Sequence, residues 1–280
     1  MSLKDRLSSL SDRQTAVIYL GQAGFLLRHG GMTVLVDPYL SYSVDKAVEK
    51  GDGMWIRRYA PPYTPEELSF ADYVFLSHDH LDHADPETVF ALSACSEAEF
   101  VCSAAIADKI CSYGASRVLS VKEGFPLECG AFSVRLLPAA HEQIHRDGNG
   151  DCAECGFLFD FDGVWVYHAG DSLVYDGLCE AVSGADVMLL PVNGNGFFRR
   201  ADDIVGNMDA YDAARLASAA SAKLLIPMHF DLYAGNSVPA SAVGDIISAA
   251  APGLDFRLPE PGKGWVITPR NTKITVEDFR

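Results

Sequence analysis

The sequence predicts a layered α/β fold, and two patterns in the order of its elements support this prediction. Short apolar runs bounded by Gly, Pro and Asp recur along the chain, as expected of β-strands. The first runs follow one another directly, whereas the later ones alternate with segments that carry helix signals. This order favours a layered α/β protein over a purely doubly wound sheet. Because 49% of the 280 residues are apolar, we expect one sizeable core and a single domain spanning residues 1–280.

Nine apolar segments are predicted to be strands. The best-marked pair is a hairpin, because Asp162 and Gly163 supply the residues with positive φ that a tight turn needs. The predicted strands are residues 16–20, 24–27, 33–36, 73–76, 131–137, 156–161, 164–167, 187–191 and 223–226.

Four segments carry helix signals. The clearest begins at Pro86, since Asp85 precedes it as a cap and proline is favoured at the first helical position. The predicted helices are residues 86–92, 104–113, 210–220 and 240–249. Residues 45–65 contain several Gly and Pro and are predicted to form a long loop, and such loops often cover active sites.

The acidic composition argues against a nucleic-acid partner. The formal net charge is −16, whereas nucleic-acid binding depends on Lys and Arg that neutralise phosphates. Carboxylates that bind cations contribute to this sum, and two divalent ions would bring it to about −12.

The sequence predicts a cytoplasmic protein without a membrane segment. No apolar stretch approaches the roughly 20 residues that cross a bilayer, and residues 1–10 lack the apolar core of a signal peptide. The seven cysteines form an odd set without a disulfide spacing, which favours buried thiols in a reducing compartment. Cys152 and Cys155 form one C-x-x-C, for which a structural zinc or redox role is the alternative.

Four potential metal ligands stand within six residues after a predicted strand, namely His78, His80, Asp82 and His83. Residues two apart on an extended segment point to the same side, so His78 and His80 can bind one ion together. Asp82 and His83 stand at the entry to the next predicted helix and can face a second ion nearby. A solvated polar turn is the alternative, but the density of ligand types favours a two-metal site.

Three further candidate ligands follow other predicted strands. His141, Asp171 and His229 come after the strands that end near residues 137, 167 and 226, and they would project from one edge of a sheet. Imidazole and carboxylate ligands together suit zinc, manganese or iron. The histidines outside this scheme are His29, which is predicted to lie in a turn, His145 and His168.

The motif H-x-H-x-D-H is followed along the chain by His141, Gly170-Asp171 and Pro-Met-His229. This order of ligand types resembles that of the metallo-β-lactamase superfamily, and the resemblance spans the whole chain. The resemblance implies a four-layer αβ/βα sandwich that holds two divalent ions, Mn²⁺ or Zn²⁺, with iron as a further option. It implies that one ion takes His78, His80 and His141, that the other takes Asp82, His83 and His229, and that Asp171 bridges both.

A narrower resemblance is to the L-ascorbate-6-phosphate lactonase-like branch of that superfamily. It implies that the substrate is a small anionic lactone, such as that of a phosphorylated sugar acid, opened by a metal-bridging hydroxide. The segments that carry the resemblance are Leu20-Gly-Gln-Ala-Gly-Phe25, Val36-Asp-Pro-Tyr-Leu-Ser41, Ser77-His-Asp-His-Leu-Asp-His83, Pro191-Val-Asn-Gly194, Gly206-Asn-Met208 and Ile226-Pro-Met-His-Phe-Asp231.

Two residues near the fourth of these segments are candidate substrate contacts. Asn193 lies within it, and Arg199 belongs to a basic pair that is unusual in a chain this acidic. A guanidinium can bind a phosphate or carboxylate through two parallel hydrogen bonds, although a solvated surface charge is the alternative. Asp37 is predicted either to accept a hydrogen bond from a ligating imidazole or to begin an Asp-Pro turn.

The expected reaction is hydrolysis, with Asp82 and Asp171 as the catalytic carboxylates. Two adjacent ions lower the pKa of a bridging water and stabilise the oxyanion, and a proton held near Asp171 passes to the leaving alkoxide. A phosphodiesterase or ribonuclease of the same fold is one alternative, which the acidic charge disfavours. A non-catalytic metal-dependent metabolite-binding protein is the other, although seven ligands over two ions leave positions open to water.

Overall fold

Within residues 1–48, 53–196, 205–270 and 273–279, which this computed structural model describes, fourteen strands form two mixed sheets. One sheet has the order β14-β13-β1-β2-β3-β4-β5-β6 and the other the order β12-β11-β10-β9-β8-β7. In chain order the strands are β1 Thr15–Gly21, β2 Gly24–His29, β3 Met32–Val36, β4 Tyr73–Leu76, β5 Glu99–Ser103, β6 Val118–Val121, β7 Leu127–Glu128, β8 Ser133–Pro138, β9 Cys155–Phe161, β10 Val164–His168, β11 Val187–Pro191, β12 Leu224–Met228, β13 Gly264–Arg270 and β14 Lys273–Asp278.

The strands that precede the predicted ligands run in the same direction within each sheet. In the first sheet β3 and β4 are parallel, and β1 shares their direction because β1 and β3 are both antiparallel to β2. In the second sheet β10, β11 and β12 are parallel, and β8 shares their direction because β8 and β10 are both antiparallel to β9. The chain therefore leaves β1, β3 and β4 at one edge of the first sheet, and β8, β10, β11 and β12 at one edge of the second.

The main core lies between the two sheets. Phe75 of β4 packs with its ring centroid 5.1 Å from those of both Phe157 and Phe159 of β9. All three side chains are buried, and full burial of one such side chain stabilises the fold by about 1.5–3 kcal/mol. Apolar side chains of both sheets thus hold the two ligand-bearing edges together.

Helices pack on the outer face of each sheet. Leu92 and Ile110 belong to the core on the outer face of the first sheet, and Leu216 and Ile247 to that of the second. The helices in the described part of the chain are α1 Leu3–Ser8, α2 Ser43–Ala47, α3 Pro86–Cys95, α4 Ala107–Ser112, α5 Leu178–Ala181, α6 Ala210–Ala219 and α7 Ala240–Ala250, with 3₁₀ turns at Gly53–Trp55, Glu66–Leu68, Ala104–Ile106 and Ala234–Asn236. These layers confirm the predicted αβ/βα sandwich. In the described ranges no helix has both the length and the apolar composition needed to cross a bilayer.

The predicted elements differ from the observed ones in one helix, one loop and five strands. The helix predicted over residues 104–113 begins as a 3₁₀ turn, because the Ser103 side chain accepts a hydrogen bond from Ala105 N–H, and α4 ends at Ser112 before Gly114. The loop predicted over residues 45–65 includes part of α2 and the 3₁₀ turn Gly53–Trp55, and its residues 49–52 lie outside the described ranges. The strands β5, β6, β7, β13 and β14 were not predicted, because charged or small polar residues interrupt their apolar patterns.

Candidate metal centre

Three imidazole nitrogens from His78, His80 and His141 come together between the two sheets. His80 Nδ1 lies 3.1 Å from His78 Nε2 and 3.4 Å from His141 Nε2. His78 and His80 follow β4 of the first sheet, whereas His141 follows β8 of the second. The three ligand atoms lie within 4.8 Å of one another, so one cation can contact all three.

Asp82, His83 and His229 form a second set beside the first. Asp82 Oδ2 lies 3.4 Å from His229 Nε2 and 4.0 Å from His83 Nε2. The rings of His83 and His229 are stacked, with their centroids 5.3 Å apart. This set also combines residues of both sheets, because His229 follows β12.

Asp171 lies between the two sets. Its Oδ1 is 3.4 Å from His83 Nε2, and its Oδ2 is 3.3 Å from His229 Nε2 and 4.0 Å from His141 Nε2. Although His83 Nε2 and Asp171 Oδ1 are buried, neither atom makes a hydrogen bond. Buried polar atoms without partners are unfavourable, and a cation between them would satisfy both. The residues therefore fit divalent ions, and the structure brings together the same sets that the sequence predicts.

The turn before Asp171 depends on Gly170 and on His168. Gly170 has φ +60°, and a Cβ there would lie 2.5 Å from the Cys155 carbonyl oxygen. Its N–H donates to His168 Nδ1 at 3.1 Å, while His168 Nε2 lies 2.8 Å from the Ala23 carbonyl oxygen and donates to it. The fully buried His168 thereby orients the turn that presents Asp171, and burial lowers the pKa of its imidazole.

Three non-glycine residues at the site have left-handed backbone conformations. The φ angles are +56° at Gln22, +44° at Asp37 and +62° at His229. Such conformations cost about 1–3 kcal/mol each and persist where neighbouring groups hold them. His229 N–H donates to the Gln22 carbonyl at 2.7 Å, and Asp37 N–H donates to the Phe75 carbonyl at 2.9 Å. Backbone strain is therefore concentrated beside the proposed ligands.

Asp37 contacts one candidate ligand directly and a second through Ser77. Its Oδ2 accepts hydrogen bonds from His83 Nδ1 at 2.8 Å and from the Ser77 hydroxyl at 2.6 Å, while Oδ1 accepts from Ser77 N–H at 2.8 Å. Ser77 Oγ also lies 2.9 Å from His78 Nδ1. These contacts orient His83 with Nδ1 toward Asp37 and Nε2 toward Asp171.

Burial and neighbouring charges both shift the pKa values of the candidate ligands, and for Asp171 and His83 they act in opposite directions. Burial lowers the pKa of His78 well below its ordinary value and lowers that of His141 in the same direction. Burial alone would raise the pKa of Asp171, but His229 and His83 hold it well below its ordinary value. Burial likewise opposes a charge on His83, but Asp171 and Asp82 raise the pKa of this imidazole well above its ordinary value. The carboxylates thus remain ionised and create a negative potential that attracts cations.

Gln22 and His168 are site residues that sequence reasoning missed. Gln22 Nε2 lies 2.7 Å from Asp82 Oδ2 and 3.1 Å from His229 Nε2. Its position between Gly21 and Gly24, at the end of a predicted strand, was the feature of the sequence that could have indicated a role at the site. His168 was placed outside the metal scheme, although it stands three residues before Asp171.

The prediction that His29 lies in a turn is wrong. His29 is the last residue of β2 and is buried, with Nδ1 3.0 Å from Thr15 Oγ1. Gly30 and Gly31, with φ of +51° and +85°, form the turn that follows it. The two glycines turn the chain, so His29 can remain in the sheet.

Of the two candidate substrate contacts, only Asn193 lies within the described residues. Asn193 is buried after β11, where its amide donates to Asn236 Oδ1 at 3.0 Å and accepts from Asn207 Nδ2 at 3.1 Å. Arg199 lies outside the described residues. The role of each in binding substrate therefore stays a prediction.

The thiols of Cys152 and Cys155 contact different groups. Cys155 Sγ donates to the Ser77 carbonyl at 3.1 Å, behind the ligand loop. Cys152 Sγ lies 3.2 Å from Arg146 Nη1 and 3.5 Å from Glu123 Oε2. Burial raises the pKa of Cys152 to about 11 and that of Cys155 well above its ordinary value, which disfavours the thiolate form needed for metal binding.

Comparison with known proteins relates this architecture to one family. The sequence matches the family described as the beta-lactamase superfamily domain over residues 16–229, from β1 to the last candidate ligand. It is 26% identical over 259 residues to a UPF0173 metal-dependent hydrolase from Carboxydothermus hydrogenoformans, which covers 90% of this chain and 99% of that protein. It is 28% identical over 223 residues to a UPF0173 metal-dependent hydrolase from Archaeoglobus fulgidus, with 78% of this chain and 84% of that protein covered.

A solved structure has the same fold. The crystal structure of a possible metal-dependent hydrolase from Veillonella parvula superposes with a TM-score of 0.71 at 20% sequence identity. The superposition covers 92% of this chain and 100% of that one. At this identity the similarity establishes the fold alone.

Proposed function

Because the chain belongs to the metallo-β-lactamase superfamily and is a metal-dependent hydrolase of that fold, we propose that it is a binuclear enzyme that opens small anionic lactones. One observation carries the binuclear part of the proposal. Asp171 places one carboxylate oxygen near His83 and the other near His229 and His141, so a single side chain reaches both ligand sets.

The donor types suit a hydrolytic centre. In the proposed arrangement His78, His80 and His141 hold one ion, Asp82, His83 and His229 hold the other, and Asp171 contacts both. Two divalent ions, when bound, polarise the carbonyl and lower the pKa of the attacking water. Seven protein ligands over two ions leave positions open, unlike a closed structural zinc site. Manganese and zinc both accept these ligands, and so does iron.

The protein's own residues are proposed to orient the attacking water and the substrate. Asp171 is held as a carboxylate and has an exposed fraction of only 4%, so it can accept a hydrogen bond from the attacking water and orient it. Asp82 is more exposed, with 20% of its side chain accessible, and this exposure supports a position on the substrate side of the centre. Asn193 and Arg199 are proposed to bind the substrate, with Arg199 contacting its phosphate or carboxylate group.

The proposal is tested by metal analysis and by a substrate panel. Protein loaded with Mn²⁺ or Zn²⁺ is expected to hold two ions per chain and to hydrolyse a phosphorylated sugar lactone faster than a phosphodiester. A plateau at one ion with full activity would reject the binuclear centre. Faster cleavage of the phosphodiester would instead identify a phosphodiesterase of the same fold, and metal-dependent binding without turnover of either compound would identify a binding protein.

A further inference from the structure

The side-chain amide of Gln22 lies against two of the proposed ligand atoms. Its terminal nitrogen is 2.7 Å from Asp82 Oδ2 and 3.1 Å from His229 Nε2, and those two atoms are 3.4 Å apart. Metal–ligand bonds of about 2.0–2.2 Å place neighbouring donor atoms about 3.0–3.4 Å apart around one ion. Two of the three distances match this spacing, and the 2.7 Å contact with Asp82 Oδ2 is a hydrogen bond. The end of the Gln22 side chain therefore lies close to the position that a further ligand of the second ion would take.

The backbone holds Gln22 firmly in this position. Gln22 is buried, and its left-handed conformation follows Gly21 at the turn between β1 and β2. Its carbonyl accepts a hydrogen bond from His229 N–H at 2.7 Å, so the turn is tied directly to a proposed ligand. Its own N–H donates to the Tyr59 hydroxyl oxygen at 3.4 Å. A strained residue fixed from several sides is a usual feature of a ligand-binding position.

The direction of the amide depends on whether a cation is bound. With its nitrogen toward Asp82 and His229, the amide can donate hydrogen bonds to these two acceptors. The same N–H groups would point their positive hydrogens at a divalent ion held by Asp82 Oδ2 and His229 Nε2, which is repulsive. Rotation of the amide by about half a turn exchanges nitrogen for oxygen and places a metal-binding group there instead.

We propose that Gln22 Oε1 is a direct ligand of the ion held by Asp82, His83 and His229. The proposal deepens the proposed function, since it rests on a second ion at this set. An amide oxygen is a hard donor, and with Asp171 it raises the number of protein ligands at this ion to five. Oxygen-rich coordination above four suits Mn²⁺ better than the tetrahedral preference of Zn²⁺, so the second set should favour Mn²⁺.

Metal binding by the purified chain tests the proposal without an activity assay. Calorimetric titration with Mn²⁺ alone compares wild type, Gln22→Leu and Gln22→Glu. We expect Gln22→Leu to weaken binding of one Mn²⁺ by about tenfold or more. Gln22→Glu should retain binding, because its carboxylate supplies an oxygen at the same place.

Gln143→Leu is the matched control. Gln143 follows the ligand His141 by two residues, but its amide contacts His145 Nε2 at 3.0 Å rather than a ligand atom. The same change in polarity there should leave Mn²⁺ affinity within twofold of wild type. Unchanged Mn²⁺ affinity in Gln22→Leu would overturn the proposal, as would an equal loss in Gln143→Leu.

A crystal structure of the Mn²⁺-loaded wild type shows whether Gln22 binds the ion or only orients Asp82. This test does not depend on whether Gln22→Leu folds. The expected distance from the ion to the end of the Gln22 side chain is about 2.1–2.4 Å. A distance beyond about 3 Å, with the amide still donating to Asp82, would overturn the proposal. If wild type binds a single Mn²⁺ that Gln22 contacts, the result supports Gln22 as a ligand and rejects the binuclear centre. Binding of no Mn²⁺ would overturn the proposal for Gln22, and the binuclear centre would then be judged by the number of Zn²⁺ ions bound per chain.

Discussion

Asp37 Oδ2 and His83 Nδ1 are joined by a 2.8 Å hydrogen bond between two completely buried side chains. The bond keeps a proton on Nδ1 when a cation displaces the proton of Nε2, so Nε2 is the nitrogen that binds the ion. We expect Asp37→Asn to weaken metal binding by about 10- to 100-fold, because the amide does not select this tautomer as a carboxylate does. Titration of the metal-free protein with Zn²⁺ measures the change.

Asp186→Asn controls for the loss of a buried carboxylate. Asp186 accepts a hydrogen bond from Trp165 N–H at 2.8 Å and pairs with Lys223 just before β11, at the sheet edge opposite the metal centre. This variant should lose stability but keep its metal affinity. If both variants lost affinity equally, general destabilisation rather than the bond to His83 would be the cause.

Replacement of Asp171 by Asn tests the carboxylate that lies between the two ligand sets. We expect at least a hundredfold lower kcat and loss of bound metal, because an amide is a weaker bridging ligand than a carboxylate. Elemental analysis and steady-state kinetics measure the two effects. Asp176→Asn, at an exposed position five residues later, should change neither. Retention of both ions and near-wild-type kcat in Asp171→Asn would assign the bridge to another residue.

Arg199 is predicted to recognise the anionic group of the substrate. Loss of a charged contact to a desolvated anion should cost about 2–5 kcal/mol in transition-state binding. Arg199→Ala should therefore lower kcat/KM steeply for a phosphorylated lactone and scarcely for an uncharged one, whereas Arg200→Ala should have the smaller effect on both. Equal losses on the two substrates, or none on either, would contradict this assignment.

Gly170→Ala should damage the metal centre through the backbone. The new Cβ would lie 2.5 Å from the Cys155 carbonyl oxygen and 3.0 Å from Ser77 Cβ, in addition to the unfavourable φ of +60°. We expect a loss of about 2–5 kcal/mol in the free energy of unfolding, together with reduced metal content. Gly163→Ala shares a positive φ but meets no atom within 4 Å, so it should cost only about 1–2 kcal/mol and leave metal content unchanged. Similar results for the two variants would show that the close contacts behind Asp171 are unimportant.

His168 should make stability depend on pH. Burial lowers its pKa below the ordinary value of 6.5, so the folded protein keeps the imidazole neutral while the unfolded chain protonates it. The contribution is complete above pH 6.5 and decreases as the pH falls from 6.5 toward the lowered pKa, by at most about 1.4 kcal/mol per pH unit. His168→Gln removes the titrating group, so its deficit in unfolding free energy should be smaller at pH 5.5 than at pH 7.5. A deficit that is constant between these pH values would mean that His168 does not titrate with unfolding.

The sequence was most informative where one chemical property repeated at a fixed spacing. The apolar runs before His78, Asp171 and His229 predicted strands because burial between two layers requires apolar side chains at nearly every position. The ligand types then predicted which strand ends meet. In contrast, β14 has charged residues at three of its six positions, and its pairing with β13 depends on distant parts of the chain that no local pattern reports.

Gln22 illustrates why part of the candidate site was missed. A single glutamine has no distinctive spacing, and its relation to Asp82 arises only when β1 and β4 come to lie in one sheet. His168 is similar, because its importance lies in hydrogen bonds to Gly170 and Ala23 that involve backbone atoms. Contacts of this kind depend on three-dimensional position more than on residue type.

Each ligand set combines residues from both sheets, and this division gives a bound ion a mechanical role. His80 and His141 are 61 residues apart in the chain, so an ion shared by them closes a long loop in the same way as a covalent cross-link. The unfolded chain loses conformational freedom when it keeps such an ion, whereas the folded chain already has its ligands in place. Metal ions at this edge would therefore act as removable cross-links between the two halves of the sandwich, and chelation would lower the free energy of unfolding while the apolar core still holds the sheets together.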